Sequence, residues 1–174
     1  EIPVKQMKRL GWIAGVGAAS ETVRECLQFF GVASVSAWRE EYERPLAAFR
    51  TSTKLRSEPG AVAAWLRRGE IVASAMRCSP FDAARFRDSL LRIRRLTCET
   101  APERFLPSLQ SMCCEAGVAV VVEPAPSGCR ASGVTRWLSP ETAMLALSVR
   151  HKSDDHLWFT FFHEAGHLLL HSKK

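Results

Sequence analysis

Near its end the chain reads FTFFHEAGHLLLH, residues 159–171, and inside that run His163, Glu164 and His167 form the pattern His-Glu-x-x-His. Two histidines at i and i+4 lie one turn apart on one face of a helix, so both imidazoles can reach a single ion. Zinc takes about four nitrogen, oxygen or sulfur ligands in a tetrahedron, and a catalytic site leaves one position for water. Glu164, next to the first histidine, is placed to act as general base on that water and to hand the proton to a leaving amine. The chemistry these residues could do is therefore zinc-assisted hydrolysis of a peptide bond, with His163 and His167 as metal ligands and Glu164 as the catalytic group. With five His and fourteen Glu in 174 residues, chance placement gives on the order of 0.01 such matches. The competing reading is a core helix whose histidines are satisfied by other polar groups. That reading must explain why two imidazoles and a carboxylate sit in an apolar run, where each costs desolvation unless paired.

A third protein ligand is harder to find. His171 continues the i+4 series, but on a straight helix it lies about 12 Å in rise from His163. It reads instead as a helix-end residue favoured by the macrodipole. His151, His156, Asp154 and Asp155 precede the motif and fall on the wrong side of it unless the connection folds back. The expectation is that the third ligand lies beyond Lys174, and that this chain by itself binds zinc weakly and is inactive or nearly so.

The site needs a rigid helix and something to pack it on. Residues 1–75 read as helical: SETVRECLQFFGV with Ser20 as N-cap and Gly31 as C-cap, SVSAWREEYERPLAAF with Pro45 as a break, and SEPGAVAAWLRRGEIVAS with Pro59 in its first turn. Residues 79–97 and 101–117 read as two amphipathic helices. The period then changes to that of strands at 118–125, 132–138 and 143–150, with SPET as a turn. A last helix is expected from about Asp155 to His171. From residue 79 the order is α-α-β-β-β-α. The expected division is a helical region over 1–75 and a second domain over 76–174.

Hydrophobic residues make up 47% of the chain and charged residues 24%, an ordinary globular balance, and no apolar run reaches the roughly 18 residues of a membrane span. The start carries no signal-peptide pattern. Six cysteines without a Cys-x-x-Cys pair are expected to be reduced thiols, which points to a cytoplasmic protein. The net charge of +6 owes much to Arg85, Arg87, Arg92, Arg94 and Arg95. Phe86, Leu90, Leu91 and Ile93 give the same segment an apolar side, so the arginines read as a solvated helix face. No second helix gathers basic residues as DNA recognition would require.

The run SGVTRWLSPETAMLALSVRHKSDDHLWFTFFHEAGHLLLH, residues 132–171, resembles the ImmA/IrrE family of metallo-endopeptidases, and the resemblance extends from about Pro80 to the end. Upstream, AAFRTS and PGAVAAWLRRGEI resemble the helical segment of members that begin with a repressor-type helix-turn-helix domain. The resemblance implies an α+β, zincin-like unit with the His-Glu-x-x-His helix on a small sheet, preceded by a helical region. It implies zinc on His163 and His167, Glu164 as catalytic residue, and an acidic third ligand on a later helix. It further implies a bacterial regulator that cleaves or senses a partner protein or peptide, a transcriptional repressor among the candidates. DNA would then be bound only through a domain missing from this chain, which reads as the middle of a longer protein cut at both ends. The alternative is a non-catalytic, antitoxin-like or sensor regulator that keeps the fold for binding. Substrate is expected along the strands at 132–138 and 143–150, with Arg136 and Trp137 as contacts, core packing being the competing role for Trp137. An apolar edge left by the missing C-terminal part is expected to be exposed and to favour self-association.

Overall fold

The computed structural model describes residues 1–43, 57–149 and 154–170, with Asp154 described in its backbone only. Pro45, His151, Ser153 and His171 lie outside the described residues or their side chains. Seven α-helices and three strands occur among the described residues: α1 Val4–Arg9, α2 Ala19–Phe30, α3 Val35–Trp38, α4 Pro59–Ser74, α5 Ala83–Ile93, α6 Pro102–Cys114, β1 Val118–Val122, β2 Gly133–Ser139, β3 Thr142–Leu147 and α7 Asp154–Leu170. The class is α+β. The chain forms two compact units, Glu1–Arg68 with Pro124–Ala131, and Gly69–Glu123 with Ser132–Lys174. The division expected after residue 75 lies at Arg68 in the structure, and Pro124–Ala131 belongs to the first unit.

The first unit is helical and packs on aromatic rings. Phe30 meets Phe29, Trp38 and Tyr42 edge-on at 5.1–5.7 Å between ring centroids. The Tyr42 hydroxyl donates to the Phe30 carbonyl at 3.0 Å. Gly31 ends α2 in the left-handed region at φ 71°, a backbone setting that glycine alone adopts without strain. Ser20 is not the N-cap. The N-cap is Ala18, two residues earlier, and the Glu21 carboxylate accepts from the Ala18 N–H at 2.9 Å, so the acidic residue closes the helix end without a hydroxyl cap.

The second unit is a mixed three-stranded sheet in the order β1-β3-β2, with β1 parallel and β2 antiparallel to the central β3. The run VAVVV of β1 is apolar throughout because the strand is buried on both faces. On one face Val118, Val120, Ala143, Leu145 and Leu147 join Phe86, Ile93, Phe105, Leu109, Trp158, Phe161, Ala165 and Leu168 in one core. On the other, Met144 and Ala146 lie against Gly69 of α4, where an added Cβ would meet Met144 Sδ at 3.1 Å. Asp82 caps α5 by accepting from the Ala84 and Arg85 N–H groups. Phe86 and Ile93 anchor that helix, whereas Leu91 is 70% exposed and is not part of its apolar side. Arg87, Arg92, Arg94 and Arg95 are exposed, and Arg85 reaches the Glu115 carbonyl at 3.2 Å.

One expectation about the thiols is corrected. Cys78, between α4 and α5, is disulfide-bonded to Cys114 at the end of α6, with Cα atoms 4.4 Å apart. Cys26, Cys98, Cys113 and Cys129 are free. Burial pushes the Cys113 thiol up to about 12, so it behaves as a small core hydrophobe. Among the described residues no helix is long and apolar enough to cross a membrane.

Candidate functional site

Helix α7 carries Trp158, Phe161, Ala165 and Leu168 on its buried side, an i, i+3, i+7, i+10 stripe that seats it on the sheet through β2 and β3. The opposite side carries Phe159, His163 and His167, with Leu170 at its end, all exposed. Phe159 and Leu170 are 70% and 81% exposed, so the histidines stand between two bare apolar residues. The Phe159 and His163 rings stack at 6.1 Å.

The two imidazoles converge. His163 Nε2 and His167 Nε2 are 3.1 Å apart, with the rings 86° to one another. Two nitrogens at 3.1 Å subtend about 100° at an ion about 2.05 Å from each, near the tetrahedral angle zinc prefers. The pair therefore fits as two ligands of one ion. One imidazole donating to the other would give the same distance in neutral rings. Among the described residues no group of three or more His, Cys, Asp or Glu side chains could hold a metal. His156 lies two turns before His163 on the same helix, half-buried, with its carbonyl accepting from the Thr160 hydroxyl at 2.7 Å. Tyr42 belongs to the first unit.

Glu164 points toward the sheet edge. It is half-buried, and Thr135 of β2 lies near enough for its hydroxyl and backbone N–H to favour the charged carboxylate. Burial pushes the Glu164 carboxyl up from its ordinary range, against the opposing pull of His167, His163 and Thr135. A proton bound more tightly in the folded than in the unfolded chain adds stability at low pH, and that stability is lost as pH rises through the folded pKa. In the metal-free chain, Glu164→Gln is therefore expected to gain stability relative to wild type between about pH 4 and pH 7. Urea melts at the two pH values check this, and a difference that does not grow with pH contradicts it.

The position of β2 depends on Gly133. A Cβ there would meet Thr160 Cγ2 at 2.5 Å and Glu164 Cγ at 2.8 Å, so only glycine lets the strand lie this close to α7. Gly133→Ala is expected to cost about 1–3 kcal/mol by overpacking, measured by chemical denaturation. An unchanged midpoint would mean that the helix yields freely.

Of the two substrate-contact residues expected from sequence, Arg136 forms an ion pair with Glu70 of α4. Trp137 packs edge-on against Phe81 at 4.9 Å and against the core of the second unit. The expected strand edges are also sorted. Among the described residues β3 is flanked on both sides, so Thr142–Leu147 offers no edge for strand addition, whereas β2 is an edge strand beside α7. Gly133 and Thr135 are the site-forming residues that sequence reading missed. A glycine and a threonine two apart, on one face of the strand, are the only trace of them in the sequence.

Compared with protein-family models, curated proteins and solved structures, the chain has no match.

Proposed function

We propose that this chain is the zinc metallo-endopeptidase-type domain of a bacterial, cytoplasmic regulator of the ImmA/IrrE kind, zincin-like in fold and acting on a partner protein or peptide such as a transcriptional repressor. The observation that carries the reading is the convergence of His163 and His167 at 3.1 Å with Glu164 beside them under an open strand edge. His163 and His167 would hold the zinc. The ion would supply Lewis-acid polarisation of a scissile carbonyl and acidify a water. Glu164 would take the proton from that water and return it to the departing amine, and its partial burial favours the proton-accepting range needed near neutral pH. The edge of β2 would hold an extended substrate by backbone pairing. DNA would be reached only through another domain.

The second reading keeps the same site for binding alone, as in a sensor or antitoxin-like regulator. The nearness of Thr135 favours it, because a strand residue already bears on the Glu164 carboxylate before any substrate is present. Glu164→Gln separates the two readings in a protein that supplies the third, acidic ligand. With unfolded casein as substrate, cleavage is expected to fall about 10²–10⁴-fold while bound zinc is retained. Zinc-loaded wild type that cleaves nothing, with partner binding untouched by Glu164→Gln, would establish the binding role instead.

A further inference from the structure

We propose that Thr135 is the positioning residue for Glu164, its hydroxyl and its edge-facing backbone N–H together fixing the direction of the carboxylate. The proposal rests on the reading of Glu164 as the proton-transferring group. Its grounds are the register of the sheet and the approach of β2 to α7. Ser148 N–H donates to the Ser132 carbonyl at 2.9 Å. In an antiparallel ladder bonded and non-bonded pairs alternate, and the register pairs Val134 with Ala146 and Arg136 with Met144. Those two pairs exchange bonds with β3, so Gly133 and Thr135 turn their N–H and C=O groups to the free edge. The edge N–H of Thr135 is therefore not used by β3, and the Glu164 carboxylate comes to the same strand, its Oε1 3.3 Å from the place a Cβ on Gly133 would take.

Gly133 and Thr135 also share one face of β2, the face toward α7. The missing Cβ of Gly133 makes a slot: the site it would occupy lies 2.8 Å from Glu164 Cγ and 3.3 Å from Glu164 Oε1. Thr160 walls that slot, 2.5 Å from the same point, with its own hydroxyl tied to His156. A glutamate has three side-chain torsions to lose, and a half-exposed one samples several directions unless held. Thr135 is β-branched and stiff at χ1, so its hydroxyl comes to the carboxylate already oriented. Glycine sets where the side chain passes and threonine sets where its charge ends.

Amide hydrogen exchange and side-chain couplings, read by NMR on the whole chain, test this. Glu164→Ala is expected to speed exchange at the Thr135 amide about ten-fold and to leave Val134 and Arg136 unchanged, since those amides bond to β3. The χ1 and χ2 couplings of Glu164 should report one rotamer in wild type and Thr135→Ser, and averaging in Thr135→Val, which keeps the shape and loses the hydroxyl. Equal exchange at Thr135 with and without the Glu164 carboxylate, or an averaged Glu164 in wild type, overturns the proposal. Zinc titration of the same samples keeps the two ideas apart. Zinc binding without Glu164-dependent protection sinks the positioning role alone, whereas protection in a protein that supplies the third, acidic ligand and still binds no zinc sinks the metallopeptidase reading.

Discussion

Replacing either His163 or His167 by alanine is expected to lower zinc affinity about 100-fold or more. Changes to groups that merely support a ligand already cost about 10–100-fold, and here a ligand itself is removed. The two Nε2 atoms are 3.1 Å apart, so in the intact chain both can bind one ion with little rearrangement. Once one is gone, no other cluster of three donors among the described residues can take over. Calorimetry at fixed pH measures the effect, with His156→Ala as the control that should leave binding intact because its ring lies about 10 Å along the helix from His163. Glu164→Gln should also retain zinc. Affinity that is indifferent to both histidine substitutions would mean the convergence is a hydrogen-bonded imidazole pair and nothing more.

Loss of the Cys78–Cys114 bridge is expected to destabilise the second unit by about 3–4 kcal/mol, from the chain entropy of a loop closed over 36 residues. A change of that size is a large part of the stability of a domain this small. Cys78→Ser with Cys114→Ser should lower the denaturation midpoint accordingly, and reductant should do the same to wild type only. Protein purified without reductant and unfolded in denaturant should titrate four thiols, those of Cys26, Cys98, Cys113 and Cys129. Six thiols would return the chain to the fully reduced state that its composition suggested. Because cytosolic proteins seldom keep structural disulfides, the thiol count also bears on the proposed compartment.

What could be read from the sequence was what repeats at short range. The 158, 161, 165, 168 stripe of α7 and the i+4 histidines share one helical period, and the structure places them on opposite sides of one helix. The unbroken VAVVV announced a strand buried on both faces, and Gly31 announced the end of α2. What could not be read was set by contacts distant along the chain. Cys78 and Cys114 carry no spacing signal, since a bridge records proximity in space. Ser20 looked like the cap because capping usually uses a hydroxyl, yet Glu21 does the work from inside the helix. Thr135 and Gly133 acquired their role only when β2 was laid beside α7, some thirty residues further on. The pairing of Arg136 with Glu70, sixty-six residues apart in the chain, was likewise out of reach of any local pattern.

The strand order β1-β3-β2 also governs the route to this structure. β2 and β3 are joined by the short turn Pro140–Glu141, with a bulge at Leu138 between Trp137 and Ser139, and can pair as soon as both exist. β1 must wait, because among the described residues its hydrogen-bonded neighbour in the sheet is β3, and that parallel pairing spans about twenty-five residues of chain and is slow to close. During the wait an uncharged, β-branched segment stands without a partner, the kind of stretch that joins its own copies in growing aggregates. Changes at the Pro140–Glu141 turn, far from any histidine, should therefore show themselves first as poor recovery of protein from the ribosome, before any fault in the finished site can be measured.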